Sequence, residues 1–210
     1  MTKSKRAKVK RGDELREHML WAAKDVFLEV GFTRASMDSI AARAHTSKRT
    51  LYAHFESKEN LYLAVVELVR ALYLRRLKSP GDYSEDAAQA LVLFCGRFLE
   101  IVLYGPSIQM SRMSIAEATR FPQGAAGYFD AGFSSAHERL SEYLAATFAL
   151  PAPDSSEAAH QLLGRVLHPR YLRALFGVDE LSAQLGEESI RDDLDLEPVR
   201  QAVAELIASL

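Results

Sequence analysis

The sequence predicts an all-α chain: a three-helix head at the N-terminus followed by a larger helical bundle. Three observations carry this. Apolar residues recur at i, i+3, i+4 and i+7 from one end of the chain to the other, the period of a helix with one buried face. No stretch shows the alternation of a half-buried strand. Gly and Pro clusters cut the chain into pieces of helical length. With 210 residues, 48% of them hydrophobic, the chain can bury one core with a small appended domain.

Residues 1–12 hold Lys3, Lys5, Arg6, Lys8, Lys10 and Arg11 and no acid. Such a segment has nothing to bury and is expected to be a disordered basic arm. Asp13 to Val30 reads as an amphipathic helix, with Leu15, Met19, Ala22, Val26, Phe27 and Val30 on one side, and Gly31 ends it. Residues 13–58 are expected to form the head and 59–210 the bundle.

The most informative stretch is Ser36 to Lys58. Met37, Ile40, Ala41 and Ala44 give a short helix one buried face, and Ser36 stands where it can cap the first turn. Ser47 and Ser57 stand at the same place before the next two helices. A helix N-terminus is partly positive and favours acids; here Lys48 and Arg49 follow Ser47, and Lys58 follows Ser57. Cations beside exposed N–H groups make a site for phosphate. On two short helices joined by a tight turn, they point to DNA. Phe27, Ile40, Ala44, Leu51 and Phe55 are the expected small core, since a recognition helix of about two turns is too short to be stable alone.

Ser36, Ile40-Ala41, Ala44, Ser47, Thr50-Leu51-Tyr52, His54-Phe55, Lys58-Glu59 and Leu61 resemble, without a gap, the DNA-binding signature of the TetR/AcrR family of transcriptional regulators. His45 and Thr46 replace the usual Gly-Val of the turn, and Arg49 replaces a frequent Gly. A side chain at a left-handed turn position costs about 1 kcal/mol. The resemblance implies a helix-turn-helix DNA-binding domain ahead of a ligand-binding and dimerisation bundle. It implies double-stranded operator DNA as partner, a homodimer, and a small apolar or amphipathic effector. In this reading Thr46, Lys48, Arg49 and Thr50 face the major groove, where Lys48 or Arg49 can donate to guanine. Ser36, Tyr52, His54 and Lys58 hold phosphates; Arg34 and Met37 flank them at the helix start. Lys8, Lys10 and Arg11 of the arm follow the backbone or enter the minor groove.

Beyond the head, Glu59 to Lys78 is a long helix with Leu61, Val65, Leu68 and Leu72 in register. It runs into the bundle until Ser79-Pro80-Gly81-Asp82 breaks it, so it is the expected mechanical link. Ser84 to Tyr104 follows, then Ser107 to Arg120. A Gly-containing piece (Gly124, Gly127) leads into a long helix over residues 126–149. Ile115 to Pro122 resembles the ligand domains of the same family over a shorter run. Pro151-Ala152-Pro153 precedes a helix over Ser156–Leu167, Pro169 interrupts, and Gly177 closes the segment. Residues 178–195 are acidic and predict loop and short helix. Pro198 opens a last helix with Val199, Val203, Leu206 and Leu210 aligned. The helices of 156–177 and 198–210 are the candidates for a twofold interface. Phe94, Phe98, Met110, Met113, Phe129 and Phe133 form either plain core or the lining of an adaptable apolar cavity. Arg97, Arg112, Glu117 and Arg120 are candidate polar groups at its mouth, and His137 is counted with the lining.

Charge is divided along the chain. Residues 1–60 carry 13 Lys/Arg against 8 Asp/Glu, a net of +5, and residues 61–210 carry 13 against 20, a net of −7. A polyanion partner at one end only fits this division. Cys95 is the single cysteine, which leaves no disulfide framework or cysteine-based metal site within one chain. No apolar run approaches the length of a membrane span and no signal peptide is visible, so the expected location is the cytoplasm. No Gly-rich phosphate loop, His-Glu-x-x-His or Cys-x-x-Cys is present; no enzyme activity, cofactor or metal is expected. Two rival readings are a helical small-molecule-binding protein whose basic end meets acidic lipids, and an all-α enzyme using Glu117 and His137.

Overall fold

The computed structural model describes the backbone of residues 3–187 and 189–210, and side chains from residue 12 onward except those of Leu74 and Glu188. The elements are α1 (Lys3–Arg34), α2 (Met37–Arg43), α3 (Lys48–Phe55), α4 (Lys58–Arg76), a 3-10 turn (Pro80–Asp82), α5 (Ala87–Leu103), α6 (Gly105–Ala116), α7 (Pro122–Phe129), a π-helical turn (Asp130–Ser134), α8 (Ser135–Phe148), α9 (Ala152–Leu167), α10 (Arg170–Leu175) and α11 (Glu197–Ser209). The expected all-α architecture is present. Among the described residues the only β pairing is an isolated bridge between Tyr104 and Ser182.

The chain packs as two compact units: Met1–Val69 with Met113–Gly127, and Arg70–Arg112 with Tyr128–Leu210. The division expected after residue 58 is a division by motif; packing instead divides α4, α6 and α7 each along its length.

In the first unit, α1 buries Met19, Ala22, Ala23, Val26 and Phe27, while Leu15, the first residue of the expected stripe, is exposed. Gly31 adopts φ 76°, ψ 165° and kinks the helix there, as its expected role as a terminator requires. The turn beyond the kink carries Phe32 into the core. Ile40, Ala44, Leu51 and Phe55 fix α2 against α3, all buried as expected. Residues 113–127 belong to this core too. The Phe121 ring lies 5.0 Å from Phe32 and 5.3 Å from Tyr62. A Cβ on Gly124 would approach Leu63 to 2.9 Å. That close fit calls for glycine at 124, and residues 122–129 are helical where the sequence suggested a Gly-rich lead-in.

In the second unit α5 is buried along nearly its whole length. Leu91, Phe94, Cys95, Phe98 and Leu99 meet Ala136, Leu140 and Leu144 of α8, Ala159 and Leu162 of α9, and Val199 and Val203 of α11. Burial pushes the Cys95 thiol up to about 12, so it stays protonated. The helix expected over 126–149 is interrupted by the π-helical turn. Residues 178–196 hold no helix among the described residues and lie as a strap along α5. The Gly105 amide donates to Ser182 O at 2.8 Å, and a Cβ on Gly96 would meet Leu196 and Ile190 of the strap within 3 Å.

Candidate nucleic-acid interface and interior cavity

Two capped turns set the head. Ser36 Oγ accepts from Ser39 N at 3.0 Å, and Ser39 Oγ accepts from Ser36 N at 3.2 Å, a capping box built from two serines. Ser47 Oγ accepts from Thr50 N at 3.0 Å and caps α3. His45, between them, takes φ 47°, the left-handed conformation expected at the position where glycine is usual. No acid occupies the first turn of α3.

Around these caps the side chains of Arg34, Ser36, Lys48, Arg49, Tyr52 and His54 are exposed, and Thr46 and Thr50 are half-buried. They share the segment from the end of α1 to the end of α3, the expected clustering. Several are already engaged. Lys48 Nζ bonds Asp38 Oδ2 at 2.8 Å, and this bond raises the lysine pKa. Thr50 Oγ1 lies 2.8 Å from Ser47 Oγ, and Arg34 Nε donates to Val30 O at 2.9 Å. Met37 is buried, so what it can offer a phosphate is its first-turn amide, which has no partner within the helix.

Lys58 stands apart. Its ammonium donates to Phe32 O at 3.0 Å and Ala35 O at 2.9 Å and lies 4.4 Å over the Phe32 ring. It ties the carbonyls at the end of α1 rather than facing outward. Residues 3–12 are the first turns of α1 rather than the separate disordered arm expected over residues 1–12, and the side chains of Lys8, Lys10 and Arg11 lie outside the described residues. Arg43 was not singled out from the sequence. It forms a bidentate pair with Glu29 at 2.8 and 2.7 Å, which locks α2 to α1.

Of the residues expected to line an effector cavity, Phe98, Phe129, Phe133 and His137 share one groove and the others are dispersed. Phe94 and Met110 are core residues with almost no exposure. Met113 and Glu117 belong to the first unit, where Glu117 accepts from Thr33 Oγ1 at 3.5 Å. Arg97 pairs with Glu100 at 2.6 Å, both buried. Its other nitrogen donates to Glu187 O at 2.9 Å, while Glu100 Oε1 accepts from Gly186 N and Arg191 N at 3.0 and 3.1 Å. This pair fastens the strap to α5. His137 stacks on His160 with ring centroids 3.7 Å apart, and its Nε2 is 3.0 Å from Ser156 O. Glu117 and His137, the rival catalytic pair, thus lie in different units. No group of three or more potential metal ligands occurs among the described residues.

The second unit does hold a cavity, of about 20 Å³. Tyr73, Leu77, Phe98, Ile101, Val102, Ser111, Tyr128, Ala131, Gly132, Phe133, Ser135 and Arg139 line it. Of the expected lining, only Phe98 and Phe133 are here. Both also wall an outer groove of about 410 Å³ with Phe129, His137, His160, Leu163 and Leu167. The tyrosines were missed because a lone Tyr within an apolar stripe gives no periodic signal. Burial pushes the Tyr73 phenol up to about 12 and that of Tyr128 well above its ordinary value.

Residues 20–65 match the bacterial regulatory proteins of the tetR family, and residues 89–196, over half of the chain, match the C-terminal domain of AefR-like transcriptional repressors. Among curated proteins, the HTH-type transcriptional activator FasR of Mycolicibacterium smegmatis is 53% identical over 55 residues, 26% of this chain and 25% of FasR. The HTH-type transcriptional repressor NicS of Pseudomonas putida is 32% identical over 96 residues, 44% of this chain and 45% of NicS. The chain thus aligns with less than half the length of either. Two solved structures match nearly end to end. The flavonoid-responsive regulator FrrA has TM-score 0.70 and 27% identity, over 94% of this chain and 95% of that one. A TetR transcriptional regulator from Agrobacterium tumefaciens has TM-score 0.73 and 19% identity, over 93% and 94%, a likeness of fold. Three of the four are named as transcriptional regulators, activators or repressors, and the fourth as a regulator. From the capped helix-turn-helix in front to the matched C-terminal domain behind it, the chain belongs to the TetR family of transcriptional regulators.

Proposed function

We propose that this regulator binds a twofold operator in double-stranded DNA as a homodimer, represses there, and releases the DNA when a small apolar or amphipathic effector enters the second unit. The observation that carries the DNA part is the N-terminus of α3: a serine-capped helix with exposed Lys48 and Arg49 and no acid in its first turn. Arg49 is the base-reading residue, assisted by Thr46, Thr50 and Lys48. Ser36, Tyr52, His54, Arg34 and the Met37 amide set register on phosphates. Lys58 serves the same surface indirectly, by fixing the end of α1. The arm with Lys8, Lys10 and Arg11 adds charge along the backbone. The working compartment is the cytoplasm.

The dimer reading rests on α9 and α11. They lie side by side, joined by Arg165 and Glu205 at 2.6 Å, each with one buried face and one exposed face. Nearby, Phe176 is 83% exposed and Val178 60%, apolar surface that a second copy would cover. Twofold symmetry then matches a palindromic site.

Selection of bound sequences from a random duplex pool tests the proposal. A two-half-site consensus at successive major grooves is the expected result. No enrichment, together with binding to vesicles of acidic lipid, would replace it with the membrane-surface reading. No helix among the described residues is long and apolar enough to cross a membrane.

A further inference from the structure

The outer groove of about 410 Å³ lies wholly within the second unit, where the π-helical turn and the first turn of α8 meet α9. Its size falls among small-molecule sites, about 300–1,000 Å³. Aromatic rings line much of it. Phe129 stacks on Phe133 with centroids 5.2 Å apart, and Phe98 stands edge-on to Phe133 at 6.0 Å. Leu163 and Leu167 of α9 add aliphatic surface, and the imidazoles of His137 and His160, stacked at 3.7 Å, complete the lining between the two helices. Phe129 is 56% exposed, so a large aromatic ring is left without a cover.

The fixed charges along this groove have one sign. Glu138 is the one lining residue with a carboxylate, and no lysine or arginine lines the groove. A second carboxylate stands behind the lining: Asp130 Oδ1 accepts from Ser134 Oγ at 3.0 Å, and Ser134 is part of the groove. On α9, Arg165 is already paired with Glu205 at 2.6 Å.

We propose, resting on the reading that an effector enters this unit, that the groove takes a lipophilic cation, an aromatic or quaternary onium compound seated on Phe129 and Phe133 with its charge beside Glu138. Ring faces carry partial negative charge and attract a cation within about 6 Å. The two carboxylates add to that attraction, and the apolar side chains bury the carbon skeleton of the ligand. An anion of the same shape meets ring faces and carboxylates that repel it and finds no cationic partner in the lining. A neutral compound of the same shape gains burial alone. Phe129 is the last residue of α7, and α7 begins among residues of the first unit. The ligand thus bears on a helix whose other end belongs to the head.

Tetraphenylphosphonium and tetraphenylborate have nearly the same size and shape and opposite charge. Titration calorimetry on the full chain at pH 8 should show the phosphonium at least tenfold tighter. Glu138→Gln should weaken the phosphonium at least threefold and leave the borate unchanged. Phe129→Ala, which truncates an exposed ring, should also weaken the phosphonium at least threefold. Borate binding equal to or tighter than phosphonium binding overturns the inference. So does phosphonium affinity that Glu138→Gln retains, the mark of a general attraction to an acidic unit. No binding by either probe overturns it too and leaves the groove to a second copy of the chain. Operator affinity measured in saturating phosphonium tests the underlying reading separately. Glu138-dependent binding that leaves DNA affinity intact upholds the site and removes the effector reading. Half-maximal DNA release at one phosphonium concentration in both wild type and Glu138→Gln removes the site and keeps the effector reading.

Discussion

The Lys48 ammonium sits 2.8 Å from the Asp38 carboxylate, joining the first turn of α3 to the first turn of α2. A cation at the proposed DNA surface is thus partly spent on its neighbour, and an acid stands where phosphates are expected. Asp38→Asn frees the lysine and removes that acid. Binding to any duplex should tighten several-fold, and the slope of log affinity against log salt should steepen by about one phosphate contact. Fluorescence anisotropy over a salt series reads both.

Arg49 and Lys58 separate recognition from scaffold. Arg49→Ala should lose about 1–3 kcal/mol at the selected operator and relax one base preference, with folding stability unchanged. Lys58→Ala should do the opposite. It leaves two carbonyls without their donor and should cost about 1–3 kcal/mol of folding stability, with base preference intact. Urea unfolding alongside binding to operator variants distinguishes the two; a Lys58→Ala protein of wild-type stability would return that residue to the phosphates.

Arg120 stacks 4.8 Å over Phe32 and 5.3 Å over Phe121 and pairs with Glu59 at 3.0 Å. Residues 117–121 are thereby part of the head. Phe121→Ala should destabilise the first unit by about 3 kcal/mol, the usual cost of truncating a packed Phe. Arg120→Ala should cost about 1 kcal/mol, since exposed cation–π and ion-pair contacts are weak. In both variants hydrogen exchange should quicken at α1 and α4 before it does at α9.

Arg97 and Glu100 form a buried pair whose remaining bonds go to the strap. Removing one partner leaves a charge buried alone, so Glu100→Gln or Arg97→Met should cost about 3–5 kcal/mol. The double change to apolar residues should recover part of that loss. Chemical denaturation of the three variants gives the comparison, and limited proteolysis should cut first within residues 181–196.

Alkaline pH tests the burial of Tyr73 and Tyr128, whose hydroxyls lie 2.8 Å apart. The Tyr73 phenol is raised to about 12 in the folded chain from an ordinary value near 10. Its contribution to stability is therefore complete below pH 10 and is lost as pH rises from 10 toward 12. Tyr128 is shifted in the same direction. Melting temperature should fall over that range in the wild type and fall less steeply in the Tyr73→Phe, Tyr128→Phe double variant.

The head was legible in the sequence because its constraints are local. A cap, a turn and a buried stripe each span a few residues, so Ser36, Ser47, Ile40 and Leu51 announce their roles by spacing alone. The part played by Phe121 was not legible: it packs on Phe32 and Tyr62 across some 60–90 residues of chain, and helical period carries no information at that range. The cavity was legible only in part, for a related reason. Phe94, Met110 and Phe98 share one apolar pattern, and only packing decides that the first two are core and the third a wall. Lys58 misled because a cation after a helix cap looks the same whether it faces phosphate or backbone carbonyls. The strap gave no signal because its few packed side chains, such as Ile190 and Leu196, follow no regular period, and backbone groups, the same in every residue, hold much of it.

That last property has an evolutionary side. The clamp at Arg97 and Glu100 grips peptide carbonyls and amides of the strap, at Gly186, Glu187 and Arg191. Side chains along the rest of it are consequently free to drift, provided that Gly186 keeps its narrow passage, Leu185, Ile190 and Leu196 keep their apolar packing, and the length is preserved. Relatives should show this acidic segment varying in letters but not in number of residues, with Arg97 and Glu100 changing together or not at all.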